Sequence, residues 1–166
     1  KIVPTHLRTV LIKLEETGAK VRTNQNSITI TRSDKIIPVD MTTAVFPGFP
    51  TDLQAQWVAL MMLAEGSSVI TDTVYHDRFS HVPELNRLGA NIHVENNVAI
   101  IRGVKKLVGA PVMSTDIRAS ASLINGGLMA HGRTEVSRIY HIDRGYERIE
   151  EKFRSLGADI MRKTES

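Results

Sequence analysis

Cysteine is absent from the 166 residues. The chain therefore cannot rely on disulfide staples or on a thiolate nucleophile of its own, and a reducing, cytoplasmic setting is the default expectation. Aromatic side chains are scarce at 5%, with a single tryptophan. No stacking platform for bases is apparent, so nucleic acid is not the expected partner. The longest apolar run, Trp57 to Ala64, falls far short of the roughly 20 residues that a membrane-spanning helix needs, and no membrane contact is expected. No signal-peptide pattern occurs. No Cys/His spacing suggests zinc, and neither a G-x-x-x-x-G-K-S/T loop nor a G-x-G-x-x-G turn is found. Neither a metal nor a cofactor is expected. Basic and acidic residues, 21 and 18, nearly cancel. The net value of +3, with a pI near 9.3, suits an anionic ligand but does not amount to a nucleic-acid tail.

What is present is a globular composition, 42% hydrophobic and 23% charged, over a length that fits one domain with a sizeable core. The chain begins at Lys1 rather than Met, which points to a piece of something longer. It is also repetitive. "LEETGAKVRTNQNSITI" (14–30) aligns with "LNRLGANIHVENNVAII" (85–101), and a third copy, "FRSLGADIMR" (153–162), follows. Their glycines, Gly18, Gly89 and Gly157, recur at intervals of roughly 70 residues. Asp52 and Asp116, and then Arg78 and Arg144, recur at nearly the same spacing. The units run over about 1–40 (partial), 41–105 and 106–166 of a single domain.

Each unit combines two kinds of helix. "TDLQAQWVALMMLAEG" (51–66) and "TDIRASASLINGGLMAHG" (115–132) are uncharged from Leu53 to Ala64 and from Ala119 to Ala130. A helix without a charged face is buried on all sides. Both open on Thr-Asp, the first with Gln54 placed to close a capping box on Thr51, and both stop at a glycine. The runs "SSVITDTVYH" and "TEVSRIYH" lean towards strand. "THLRTVLIKLEETG" (5–18) and "YERIEEKFRSLG" (146–157) carry apolar stripes at helical period. Each Gly-Ala then leads into a strand, followed in the first two copies by a turn and a second strand. The sum is a βαβαββ-like unit. Repeated about an axis, it gives an inside-out α/β barrel, with the uncharged helices at the centre and sheets outside.

Helix N-termini attract anions, and Arg78, Arg118 and Arg144 would gather at the same end as Asp52 and Asp116. Guanidinium forks suit phosphate and carboxylate oxygens. The alternatives are plain: the two aspartates as helix caps, the Asp77-Arg78 and Asp143-Arg144 pairs as surface charge, the histidines as packing, or the whole as a basic α/β-repeat RNA-binding module. In the third copy nothing follows "GADIMRKTES" to pair with a strand at 158–162.

At these residues the sequence resembles a known family. "FPTDLQAQ" (49–56), "HDRFSHVPELNRLGA" (76–90), "TDIRASASL" (115–123) and "YHIDRGYERIEEKFRSLGA" (140–158) are similar to bacterial UDP-N-acetylglucosamine enolpyruvyl transferases. The likeness extends over essentially the whole chain and is weakest over 1–40. The sister enzymes that make enolpyruvylshikimate phosphate share the fold but not these strings, and remain the alternative. The resemblance implies the enolpyruvyl transferase fold, with UDP-N-acetylglucosamine and phosphoenolpyruvate as ligands. It implies that Asp52 hydrogen-bonds the sugar hydroxyl and accepts its proton, and that Val74 lies against the nucleotide sugar. It further implies that Arg78, Arg118 and Arg144 hold the carboxylate and phosphate of phosphoenolpyruvate, Arg144 taking part in catalysis, and that Asp116 supports them. Family members are considerably longer and bind their substrates between two such domains. The resemblance thus makes this chain the C-terminal part, with the N-terminal domain as its partner and half an active site of its own.

Overall fold

The computed structural model describes residues 2–163. A 3-10 turn (Pro4–Leu7) runs into α1 (Arg8–Glu16), which ends at Thr17, and the hairpin β1 (Lys20–Thr23) and β2 (Ile28–Thr31) follows. Next come β3 (Met41–Thr42), a 3-10 turn (Thr51–Leu53), α2 (Gln54–Met61), β4 (Ser67–Thr71) and α3 (Val82–Arg87). The hairpin β5 (Asn91–Glu95) and β6 (Val98–Arg102) leads through β7 (Leu107–Val108) and β8 (Pro111–Met113) into α4 (Ile117–Met129). The chain then forms β9 (Ala130–His131), β10 (Glu135–Ser137), α5 (Tyr140–Asp143) and α6 (Ile149–Ser155). Among the described residues no helix is long and apolar enough to cross a membrane.

The repeat is visible in this order. The middle copy is complete, β3-α2-β4-α3-β5-β6, and its strands form one sheet ordered β3-β4-β6-β5. Within it β3 and β4 are parallel, as a strand-helix-strand crossover requires, and the rest is antiparallel. The same crossover recurs as β8-α4-β10, whose strands are again parallel. Gly18, Gly89 and Gly157 close their helices with φ of 93°, 87° and 93°. That left-handed conformation strains any residue with a Cβ, which is why glycine stands at this point of every copy.

Burial follows the two periodicities. In β4 the buried positions are Ser68 and Ile70, and in β6 they are Ala99 and Ile101. Alternation of period two leaves this four-stranded sheet one covered face. The uncharged helices α2 and α4 pack against each other inside. Gln54, Ala55, Trp57, Val58, Ala59 and Met61 are buried on α2, and Ala119 through Ile124, with Gly126, on α4. Each large apolar side chain removed from water here contributes about 1.5–3 kcal/mol. The small residues of α4 permit close approach. A Cβ on Gly126 would stand 2.9 Å from Leu88 Cδ1 and 3.3 Å from Leu85 Cδ2 of the α3 segment. Gly126→Leu is therefore expected to destabilise by about 1–3 kcal/mol through overpacking. A thermal unfolding midpoint unchanged by the substitution would show that this crossing has room to spare.

Three local expectations are corrected. The strand-like run 67–76 stops at Thr71 because the Asp72 carboxylate captures the N–H groups of Val74 and Tyr75 at 3.0 and 2.9 Å, folding the chain into a turn. The run 134–141 stops at Ser137 because Arg138 adopts φ 56°, and "YHID" coils into α5. Thr51 and Gln54 form no capping box: α2 has no side-chain cap, and the Thr51 hydroxyl is engaged elsewhere.

Among the described residues, the third copy has no strand after Gly157. Residues 158–163 hold no β-pairing. Instead Arg162 donates to both oxygens of Asp143 at 2.9 and 2.7 Å and to both oxygens of Glu150 at 3.1 and 3.2 Å. The hydrogen bonds from Arg162, against an opposing effect of burial, hold the Asp143 carboxyl below its usual range.

Candidate functional site

Asp52 lies in the 3-10 turn before α2, set by the extended Pro50. Its carboxylate is 69% exposed and serves as counter-ion to two arginines. Arg118, in the first turn of α4, reaches Asp52 Oδ1 with Nε at 2.7 Å and Nη2 at 2.6 Å. Arg78 reaches the same oxygen at 3.5 Å. Three residues from three separate segments thus converge, as expected from the sequence.

Arg78 is held from behind. Its guanidinium carbon lies 3.8 Å from the centre of the Tyr75 ring, a cation–π contact. Its Nη1 donates to the Thr51 hydroxyl at 2.8 Å, and that hydroxyl donates to Asp72 Oδ2 at 2.7 Å. Asp72 is fully buried and also accepts from the Thr43 hydroxyl at 2.7 Å. Burial pulls its pKa up, but hydrogen bonds from Tyr75, Thr51, Thr43 and Val74 outweigh it, and the carboxyl sits below its usual range. Asp72 was not singled out by sequence reasoning. The available signal was an aspartate directly after a β-leaning run and ahead of Thr-Val-Tyr, a common start for a side-chain-closed turn. Val74, half-buried in that turn, is positioned by the same carboxylate.

Asp116 caps α4, accepting from the N–H groups of Arg118 at 2.8 Å and Ala119 at 3.1 Å. Burial pulls its pKa up, and these bonds together with one from the Thr115 hydroxyl bring it below the usual value. The helix start is consequently already occupied by its own carboxylate. The anion-holding capacity of this end rests on the arginine side chains rather than on free backbone N–H groups, contrary to the sequence-based expectation.

Arg144 is the exception to the convergence. It is exposed at the end of α5, and among the described residues its guanidinium has no ion-pair partner. Its neighbour Gly145 abuts the first turn of α4, since a Cβ there would overlap Ile117 Cδ1. Tyr146 accepts a hydrogen bond from Gln56 of α2 at 3.2 Å. The backbone beside Arg144 is thus tied to the same end of the two helices, while its side chain is exposed.

A cleft of about 70 Å³ is lined by both arginines that hold Asp52, Arg78 and Arg118, with Gln54, Asp77, His81 and Asp116 among others. His81 is 2% exposed, and burial pushes its pKa down to about 4 despite the opposing charge of Asp116.

The sequence profile of the family described as EPSP synthase (3-phosphoshikimate 1-carboxyvinyltransferase) matches residues 1–153. The chain is 57% identical over 159 residues to a UDP-N-acetylglucosamine 1-carboxyvinyltransferase of Chlorobium chlorochromatii, covering 96% of this chain and 38% of that protein. It is 56% identical to the protein of the same name from Bdellovibrio bacteriovorus, covering 98% and 39% respectively. It thus spans about two-fifths of the length of such relatives. Among solved structures, the enolpyruvyl transferase NikO from Streptomyces tendae superposes with a TM-score of 0.85 at 31% identity, over 93% of this chain and 36% of that one. EPSP synthase from Acinetobacter baumannii, at 16% identity and a TM-score of 0.68 over 94% of this chain and 37% of that one, shares the fold.

Proposed function

The chain belongs to the EPSP synthase family, and from that premise we propose that it is the C-terminal part of an enzyme transferring enolpyruvyl from phosphoenolpyruvate to the 3-hydroxyl of UDP-N-acetylglucosamine. Its product would enter peptidoglycan synthesis in the cytoplasm. The observation that carries this reading is the convergence of Arg78 and Arg118 on one carboxylate oxygen of Asp52, in a chain more than half identical to carboxyvinyltransferases of that acceptor.

The geometry suits the chemistry. A bond forms between the sugar oxygen and C2 of phosphoenolpyruvate while the methylene carbon gains a proton. The C–O bond to phosphate then breaks, and a proton is lost to restore the double bond. The substrate carries several negative charges near the reacting carbon. Arg118 and Arg78 hold its carboxylate and phosphate oxygens, with Arg144 turning in as a further fork, and fixed cations of this kind need little reorganisation during reaction. Asp52, exposed at the rim, is free to exchange an arginine for the sugar hydroxyl, which it orients and relieves of its proton. Val74 lies against the sugar nucleotide, and Asp116 keeps Arg118 at the helix start. No residue of this chain is assigned as proton donor to the methylene carbon; that group belongs to the N-terminal domain, which is the chain's partner.

Two measurements test the reading. The 166-residue chain alone is expected to release no phosphate from phosphoenolpyruvate, because half of the site is elsewhere; measurable turnover by it would refute the division of labour. The intact enzyme is expected to release phosphate with UDP-N-acetylglucosamine and not with shikimate 3-phosphate, and the opposite preference would assign it to the sister activity.

A further inference from the structure

Two residues that line the cleft beside Arg78 and Arg118 each carry a buried side-chain nitrogen with no partner. Gln54 is 1% exposed and His81 2%. The Nε2 atoms of both are buried and have no hydrogen-bond partner in the structure. The two residues come from different segments, Gln54 from the start of α2 and His81 from the residue before α3, yet both line the same cleft with Arg78 and Arg118. A buried donor without an acceptor costs free energy, so folded chains keep few of them, and each calls for a cause. Two in one small wall, beside two arginines, share one.

We propose that Gln54 and His81 form a neutral inner wall of the anion site, their Nε2–H groups donating to an oxyanion oxygen of the ligand gripped by Arg78 and Arg118. This rests on the reading of the cleft given above and extends it by two binding residues. The chemistry is consistent at each atom. The glutamine amide nitrogen is a donor only, and a neutral imidazole protonated on Nε2 is a donor there as well. Burial keeps His81 neutral at physiological pH, its pKa pushed down to about 4. Two neutral donors therefore add no charge to a cleft whose two arginines are only half offset by the single carboxylate of Asp52 and whose Asp116 is engaged with backbone. They serve oxygens that the forks leave over. The ligand class is a small oxyanion, phosphate or carboxylate. Because the bonds exist only in the occupied state, the unliganded protein bears the strain and the complex is relieved of it.

The test is calorimetric titration of the intact enzyme with inorganic phosphate and, separately, with pyruvate, alongside thermal unfolding without ligand. Gln54→Leu and His81→Leu are each expected to weaken binding about tenfold while leaving the unliganded midpoint unchanged or higher. His81→Gln restores an amide N–H near the lost Nε2 and is expected to bind within about threefold of the parent. Loss confined to phosphate assigns the wall to the phosphoryl group, and loss confined to pyruvate assigns it to the carboxylate. Unchanged affinity for both ions in the leucine variants, with lowered midpoints, would overturn the proposal and leave the pair as core packing. Arg78→Ala separates the two levels. If it abolishes phosphate binding while the leucine variants do not, the wall fails and the anion cleft stands; if it too is without effect, the cleft reading itself fails. Should a leucine variant not fold, the 15N resonance of His81 Nε2 in the parent decides. A shift on adding phosphate or pyruvate supports the contact, and an unmoved resonance at saturation overturns it.

Discussion

Arg118→Ala in the intact enzyme is expected to lower kcat/KM for phosphoenolpyruvate by roughly 10²–10³-fold, the scale seen when a preorganised group facing developing charge is removed. The fold should barely register the change. The ion pair with Asp52 has one partner 69% exposed, and pairs of that kind contribute about 0–1 kcal/mol. Arg118→Lys keeps the charge but loses the fork that now places Nε and Nη2 on one oxygen, so it should recover only part of the activity. Steady-state phosphate release, read together with thermal unfolding, checks both statements. A kcat/KM within threefold of the parent would move the site away from Arg118.

The second large effect is on stability. Asp72→Ala leaves the Thr43 and Thr51 hydroxyls and the N–H groups of Val74 and Tyr75 without their acceptor. Several orphaned groups around a fully buried position should cost roughly 3 kcal/mol or more. Arg78 would lose the anchored hydroxyl it binds, so activity should fall along with the unfolding midpoint. The effect is expected to depend on pH with a definite sign. The folded pKa of Asp72 lies below the ordinary carboxylate value. Its stabilising contribution is therefore fully present above the unfolded pKa of about 4 and is lost as pH falls through the lower, folded value. The stability gap between the parent and Asp72→Asn should narrow across that acid window and stay constant from about pH 6 upward. Denaturant unfolding at a series of pH values measures it, and a gap that widened on acidification would contradict the assignment.

Much of the architecture could be read without the structure, because it depends on periodicities that a short window of sequence carries. A segment such as Leu53–Ala64, with no charge on any face, can only be an interior helix. The stripe of Leu7, Val10, Leu11 and Leu14 was recognisably a covering one, although only Leu11 of it is deeply buried in this chain. The glycines at 18, 89 and 157 announced three helix ends, since a left-handed residue after a helix is a local demand. The arginine and aspartate positions were legible in part: helix starts at Asp52 and Arg118 were assigned to one end together with Arg78 and its repeat equivalent Arg144, and of the three arginines only Arg78 and Arg118 pair with Asp52.

What the sequence left open was decided by groups meeting across long stretches of chain. Asp72 acquires its importance from Thr43 and Thr51 on other segments, and nothing in its own neighbourhood reveals them. The capping box at Thr51 was a sound local pattern that lost to those same tertiary partners. Asp116, with no such competitor, kept its cap. The strand expected at 134–141 was cut short by the left-handed Arg138, and 158–162, expected to lack the hairpin partner of its siblings, holds no β-pairing, its Arg162 engaged with Asp143 and Glu150. A strand, unlike a helix, needs another strand to complete its hydrogen bonds, so its formation cannot be settled by its own residues. The unpaired Nε2 atoms of Gln54 and His81 were the least legible of all. Being buried without a partner is a property of everything around an atom, and only the packed chain can show it.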